Sequence, residues 1–193
     1  MLSLENEEKI PCICVTNRRL CQGDFYERIK KIAVEGVADA ILLREKDLPE
    51  EEYFSMAERV MKICGEFQKT CILHTFYGVA KELHCSHIHL PLPVLETLEE
   101  REKNIFEKIG SSVHSVEQAK HAMELGADYV TAGHVFATDC KKGIPGRGTG
   151  FIREVSEAVP MPVYGIGGID RENAGSIKKA GAKGVCLMSG FMK

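Results

Sequence analysis

Eight short apolar runs, each followed by a longer polar or amphipathic stretch, set the tightest limit on how this chain can fold. The runs cover 11–16, 40–44, 71–74, 86–90, 109–113, 129–136, 163–167 and 184–189. They are too short for buried helices and are rich in Val, Ile and Leu, as strands buried on both faces are. Between them, 25–35, 51–67, 116–125 and 173–180 place apolar residues at helical spacing. The charged stretch 94–107 is the weakest of the helical segments. Strand and helix in strict alternation predict a parallel sheet.

A local repeat sharpens that reading. Gly36-Val37-Ala38-Asp39-Ala40-Ile41 recurs as Gly126-Ala127-Asp128-Tyr129-Val130 and again as Gly181-Ala182-Lys183-Gly184-Val185. Each copy ends a helix on glycine, the usual left-handed closing residue, and enters a strand. One αβ junction used repeatedly means one unit repeated around a sheet. Two closures fit, an open doubly wound sheet and a (β/α)8 TIM barrel. The count of eight strands favours the barrel, of class α/β, built as a single domain over 1–193. Only Gly190, Phe191, Met192 and Lys193 follow the eighth run. The barrel is therefore expected to lack its last helix. Its bare final strand would leave a face for a second copy of the chain, so a homo-oligomer is one expectation.

Charge narrows the class of partner. Lys and Arg number 25 against 28 Asp and Glu, a net charge of −3. No general field attracts nucleic acid or an anionic membrane, so an anionic ligand must be held by a local site. Residues 1–10 are acidic and lack the apolar core of a secretory signal. The least polar run, 159–169, holds two prolines and three glycines and cannot span a bilayer. A cytoplasmic location is expected. The eight cysteines fall mostly within apolar runs, where thiols act as small hydrophobes.

In a barrel, chemistry belongs where the strands end. After the second run, Arg44-Glu45-Lys46-Asp47 sets two bases around one acid, readable as an anion clamp or as a solvated strand end. After the sixth, 133–150 carries His134 amid glycines and bases. A neutral imidazole there could exchange a proton near neutral pH. After the seventh and eighth, Gly167-Gly168 and Ser189-Gly190 form glycine turns where barrels commonly hold phosphate. The glycine spacing is not that of a dinucleotide fingerprint. His84, His87 and His89 form a cluster whose bland reading, as ordinary strand and turn residues, outweighs metal binding.

These motifs carry a resemblance. Ala127-Asp128-Tyr129-Val130, Gly133-His134-Val135-Phe136, Thr138-Asp139-Cys140-Lys141-Lys142-Gly143 and Gly146-Arg147-Gly148 are similar to the thiamine phosphate synthase/TenI family, and within it to the TenI-like thiazole tautomerases. Leu43-Arg44-Glu45-Lys46, Gly110-Ser111-Ser112-Val113-His114-Ser115, Ile166-Gly167-Gly168-Ile169 and Met188-Ser189-Gly190 continue it. The resemblance implies a TIM barrel and a thiazole phosphate ligand. It implies proton transfer by His134 and substrate or phosphate binding by Arg44, Lys46, Ser111, Thr138, Lys141, Gly167, Gly168, Ser189 and Gly190. The synthase branch uses magnesium to hold a pyrophosphate leaving group. Its two metal-binding aspartate motifs align here with His74-Thr75 and with His89-Leu90-Pro91-Leu92-Pro93-Val94, and both aspartates are gone. The expectation is a metal-independent isomerase without cofactor, with transferase activity disfavoured. The alternatives are thiamine phosphate synthase itself, or a non-catalytic protein that binds thiazole phosphate.

Overall fold

A computed structural model describes residues 9–138 and 143–193. Its strands are β1 (Cys12–Val15), β2 (Ala40–Leu43), β3 (Thr70–His74), β4 (His87–Pro91), β5 (Lys108–Val113), β6 (Tyr129–Gly133), β7 (Val163–Ile166) and β8 (Gly184–Leu187). Each pairs in parallel with the next, and β8 returns to β1, so the sheet is a closed barrel in sequence order. The open-sheet alternative is set aside by the β1–β8 ladder, in which Cys12, Ile13 and Cys14 register with Val185, Cys186 and Leu187.

Helices α1 (Phe25–Glu35), α2 (Glu50–Glu66), α3 (Tyr77–Glu82), α4 (Leu92–Leu95), α5 (Glu100–Lys103), α6 (Val116–Glu124), α7 (Gly148–Ala158), α8 (Ala174–Lys179) and α9 (Ser189–Met192) lie between and after the strands. The stretch expected as one helix over 94–107 is two single turns, the second opened by a capping box between Glu99 and Glu102. Helix α7 starts inside the glycine-rich segment after β6, where no helix was expected. Its buried Phe151, Ile152 and Val155 are the apolar face that marks it. The barrel does not end bare at β8: α9 follows at once, buries Met192 and lies beside the 3-10 turn Arg18–Leu20 after β1.

Alternation along the strands sorts their side chains into two layers. Ile13, Val15, Ala40, Leu42, Ile72, Tyr129 and Cys186 fill the barrel interior. Cys12, Cys14, Ile41, Leu73, Ile88, Ile109, Val113 and Val130 face the helices. Cys12 and Cys14, two apart, share the outer face, and burial pushes the Cys12 thiol up to about 12. The described cysteines are all unbonded.

The sequence repeat has a structural meaning. Gly36, Gly126 and Gly181 all take positive φ, at 63°, 87° and 100°, closing α1, α6 and α8. In the first two copies the aspartate then reaches across the sheet. Asp39 accepts the Cys12 N–H at 2.8 Å and Asp128 accepts the Ile109 N–H at 2.8 Å. Lys183 stands at that position in the third copy and keeps only the main-chain bond, donating to the Val163 carbonyl at 2.8 Å.

Between β3 and β7 the interior turns polar. His74 and His89 register across β3 and β4 with their rings stacked at 5.7 Å. His89 Nδ1 meets the Tyr129 hydroxyl at 3.2 Å, and its Nε2 meets Ser112 Oγ at 2.9 Å. Burial, then the Lys46 and Arg44 charges above it, lowers His89 to about 3. Burial, then His89, Lys46 and Arg44, holds His74 well below its ordinary value.

Two outcomes are expected. Asp39→Ala or Asp128→Ala strands a partly buried N–H and costs about 1–3 kcal/mol in urea unfolding. Below pH 6.5 the unfolded chain protonates its two imidazoles while the folded chain does not, so stability falls with falling pH. Each depressed histidine contributes about 1.4 kcal/mol per pH unit. Chemical denaturation between pH 7 and 4.5 measures that slope, and His89→Gln flattens it.

Candidate active site

The loops at the carboxyl ends of the strands enclose a cavity of about 760 Å³, within the range of small-molecule sites. One wall comes from β2. Arg44 and Lys46 line the cavity, while the acid between them is turned away. Glu45 is buried and accepts from Thr16 Oγ1 at 2.8 Å, the Arg18 N–H at 2.9 Å and Arg18 Nη1 at 3.1 Å. Arg18 also forks onto Asp47 at 2.6 and 2.7 Å, which holds the Asp47 carboxyl well below the usual carboxylate range. Thr16 Oγ1 in turn accepts the Arg44 N–H at 2.9 Å. This knot takes up both acids of the segment and leaves its bases on the mouth.

The opposite wall comes from β6, β7 and β8. The chain after β6 runs alongside the end of β7: the Val135 N–H donates to the Ile166 carbonyl at 3.0 Å and the Phe136 N–H to the Gly167 carbonyl at 2.9 Å. Gly167 and Gly168 have φ of 98° and 67°. A Cβ on Gly167 would meet His134, and one on Gly168 would meet the Ala137 carbonyl and Phe136, so glycine alone lets these two segments touch. Asn173 Nδ2 ties the turn to the start of α8 through the Gly168 carbonyl at 3.0 Å.

His134 is buried at the cavity wall, with Nε2 at 3.3 Å from the Ile144 carbonyl. Thr138 and Ser189 also line the cavity. Two expected binding residues do not. Ser111 shares the outward face of β5 with Ile109 and Val113, is fully buried and donates to the Leu90 carbonyl at 3.1 Å. The pleat puts Ser112 on the mouth instead. Gly190 is exposed in the first turn of α9, outside the lining. Lys141 lies outside the described residues.

Ser112, Thr131 and His114 are lining residues that sequence reasoning did not single out. β5 and β6 are buried on both faces, so no alternation of polar and apolar residues marked the first two. His114 is placed by tertiary contacts, its Nδ1–H donating to the Gly133 carbonyl at 2.8 Å. The three clustered histidines have separate surroundings. His84 is exposed in a turn with φ of 54°, His87 bonds Ser86 at 3.0 Å, and His89 fills the barrel. Among the described residues, no group of three His, Cys, Asp or Glu side chains is placed to hold a metal. Nor is any described helix long and apolar enough to cross a membrane.

Magnesium favours oxygen ligands, carboxylates above all. Asp170 is the single acidic residue lining the mouth among the described residues, and its Oδ1 already accepts the Glu172 and Asn173 N–H groups at 2.9 and 3.0 Å. With imidazoles at 74 and 89, the donor set does not fit that ion.

The sequence matches the family model described as thiamine monophosphate synthase over residues 12–191. It is 30% identical over 182 residues to a thiamine-phosphate synthase of Fusobacterium nucleatum, covering 92% of this chain and 87% of that one. It is 33% identical over 189 residues to the thiamine-phosphate synthase of Pyrococcus horikoshii, covering 96% and 88%. The structure is similar to a thiamine phosphate pyrophosphorylase of Pyrococcus furiosus, with a TM-score of 0.78 and 29% identity over 93% of this chain and 86% of that one. These names correct the expectation of an isomerase with transferase activity disfavoured: the sequence relatives are called thiamine-phosphate synthase and the solved structure thiamine phosphate pyrophosphorylase, names of transferases. His134 and the lost aspartates had carried that expectation. With a match that spans every strand and relatives covered over nearly their whole length, the chain belongs to the thiamine monophosphate synthase family.

Proposed function

We propose that this chain is a transferase of thiamine phosphate synthesis, joining a phosphorylated thiazole to a pyrimidine activated as its pyrophosphate. One observation carries the reading. A single cavity of about 760 Å³ has cations on one wall, Arg44 and Lys46, and the glycine backbone of β7 with Ser189 on the other. That is room and charge for two anionic groups at once.

In this reading the thiazole phosphate rests on Gly167, Gly168 and Ser189, where main-chain N–H groups suit a phosphate. The pyrophosphate faces Arg44 and Lys46. The thiazole nitrogen attacks the pyrimidine methylene, the carbon–oxygen bond breaks, and pyrophosphate leaves with the electron pair. Fixed positive charge at the developing anion is worth several kcal/mol in a water-poor site. The knot of Glu45, Thr16 and Arg18 supports this by holding the β2 loop in place. Thr138 and His134 border the same space.

A second reading is favoured by the donor set itself. Among the described residues no carboxylate pair stands at the mouth for a divalent ion, and on this reading the barrel binds the thiazole phosphate and turns nothing over. The deciding experiment supplies both substrates, with and without magnesium, and follows thiamine phosphate and released pyrophosphate. Transfer is expected, with Arg44→Ala lowering kcat/KM about 100-fold through lost charge stabilisation. Gly168→Ala is expected to weaken thiazole phosphate binding about tenfold or more, since its Cβ has no room. Tight binding of the thiazole phosphate with no product under either condition would leave the binding protein as the answer.

A further inference from the structure

The polar column inside the barrel has a direction. His89 is fully buried with both ring nitrogens engaged, Nδ1 with Tyr129 Oη at 3.2 Å and Nε2 with Ser112 Oγ at 2.9 Å and Thr131 Oγ1 at 3.3 Å. Every partner is a hydroxyl, able to donate or accept. The neutral ring carries one proton, so the choice of nitrogen sets the sense of the whole chain. Burial and the Lys46 and Arg44 charges keep the ring neutral.

Tyr129 decides the choice. Its phenol is buried and kept protonated, its pKa pushed up mainly by that burial. Among the described residues, His89 Nδ1 is the hydroxyl's hydrogen-bond partner. Were Nδ1 protonated, two donors would face each other or the phenol proton would be stranded, at the cost of a buried unmade bond. With Nδ1 bare, the phenol donates to it and Nε2–H donates to Ser112 Oγ. Thr131 Oγ1 also lies 3.4 Å from Ser112 Oγ as a donor. Two lone pairs of Ser112 are then filled from below, and its own proton has the cavity left to point into. The approach of Tyr129 and His89 requires Gly110, since a Cβ there would collide with the Tyr129 ring and with His89 Nδ1.

We infer that Tyr129 and His89 are positioning residues that turn the Ser112 hydroxyl into a fixed hydrogen-bond donor at the floor of the mouth, selecting ligands whose inner end carries an acceptor such as an unprotonated ring nitrogen or a carboxylate oxygen. The selection of ligand rests on the mouth being the substrate site. The direction of the hydrogen-bond chain does not.

Two measurements test it. Side-chain nitrogen NMR of the ligand-free protein, with His89 assigned through His89→Gln, is expected to show a neutral ring protonated at Nε2, and Tyr129→Phe is expected to move it toward the Nδ1–H form. A wild-type ring protonated at Nδ1 overturns the inference whatever the mouth binds. Calorimetric binding of the phosphorylated thiazole then separates positioning from simple structure. Ser112→Ala and Tyr129→Phe are each expected to weaken binding about tenfold, and the double variant no more than Ser112→Ala alone. Additive losses overturn the relay. A wild type protonated at Nε2 that binds no phosphorylated thiazole supports the donor and overturns the reading of the mouth instead.

Discussion

The ladder between β8 and β1 is the constraint on which the rest of the molecule depends. It turns a row of eight parallel strands into a barrel, so that every strand is buried on both faces and all eight carboxyl ends surround one opening. The contact is close. The Val185 N–H donates to the Pro11 carbonyl at 2.9 Å, and a side chain on Gly184 would run into that same carbonyl. Helix α9 covers the seam from the side of the mouth, with Met192 buried beside the turn that follows β1.

Closure gives the two sides of the mouth different chemistry. On the β2 side, a knot of Glu45, Arg18, Asp47 and Thr16 consumes the negative charge of the segment, so that Arg44 and Lys46 border the cavity. On the β7 side, missing side chains at Gly167 and Gly168 expose main chain at the wall. Beneath both lies an interior whose histidines stay neutral because they are buried and sit under two cations. Those rings serve as hydrogen-bonding groups without adding to the positive charge above them.

Much of this was legible in the chain itself. The strand runs, the helices at 25–35 and 116–125, the glycine-closed junctions and the approximate positions of Arg44, Lys46, His134, Gly167, Gly168 and Ser189 all follow from period and turn chemistry. What misled was parity and charge. Ser111 and Ser112 are neighbours of the same type, and only the pairing of β5 with β4 and β6 decides which one faces inward. Arg44-Glu45-Lys46 was readable as an anion clamp or as a solvated strand end, and only Arg18, 27 residues earlier, holds its acid away from the mouth. The expectation of an isomerase rested on His134 and the lost aspartates, whereas the relatives are named thiamine-phosphate synthase.

The sequence alone determined the class of fold and the regions where chemistry could occur, because hydrophobic period and glycine position act within a few residues of one another. Tertiary structure decided whether the sheet closes, which serine reaches the cavity, and how the proton of His89 is placed. Those depend on strand register and on partners far apart in the chain, such as Tyr129, 40 residues from His89, and no local pattern of residues encodes that distance.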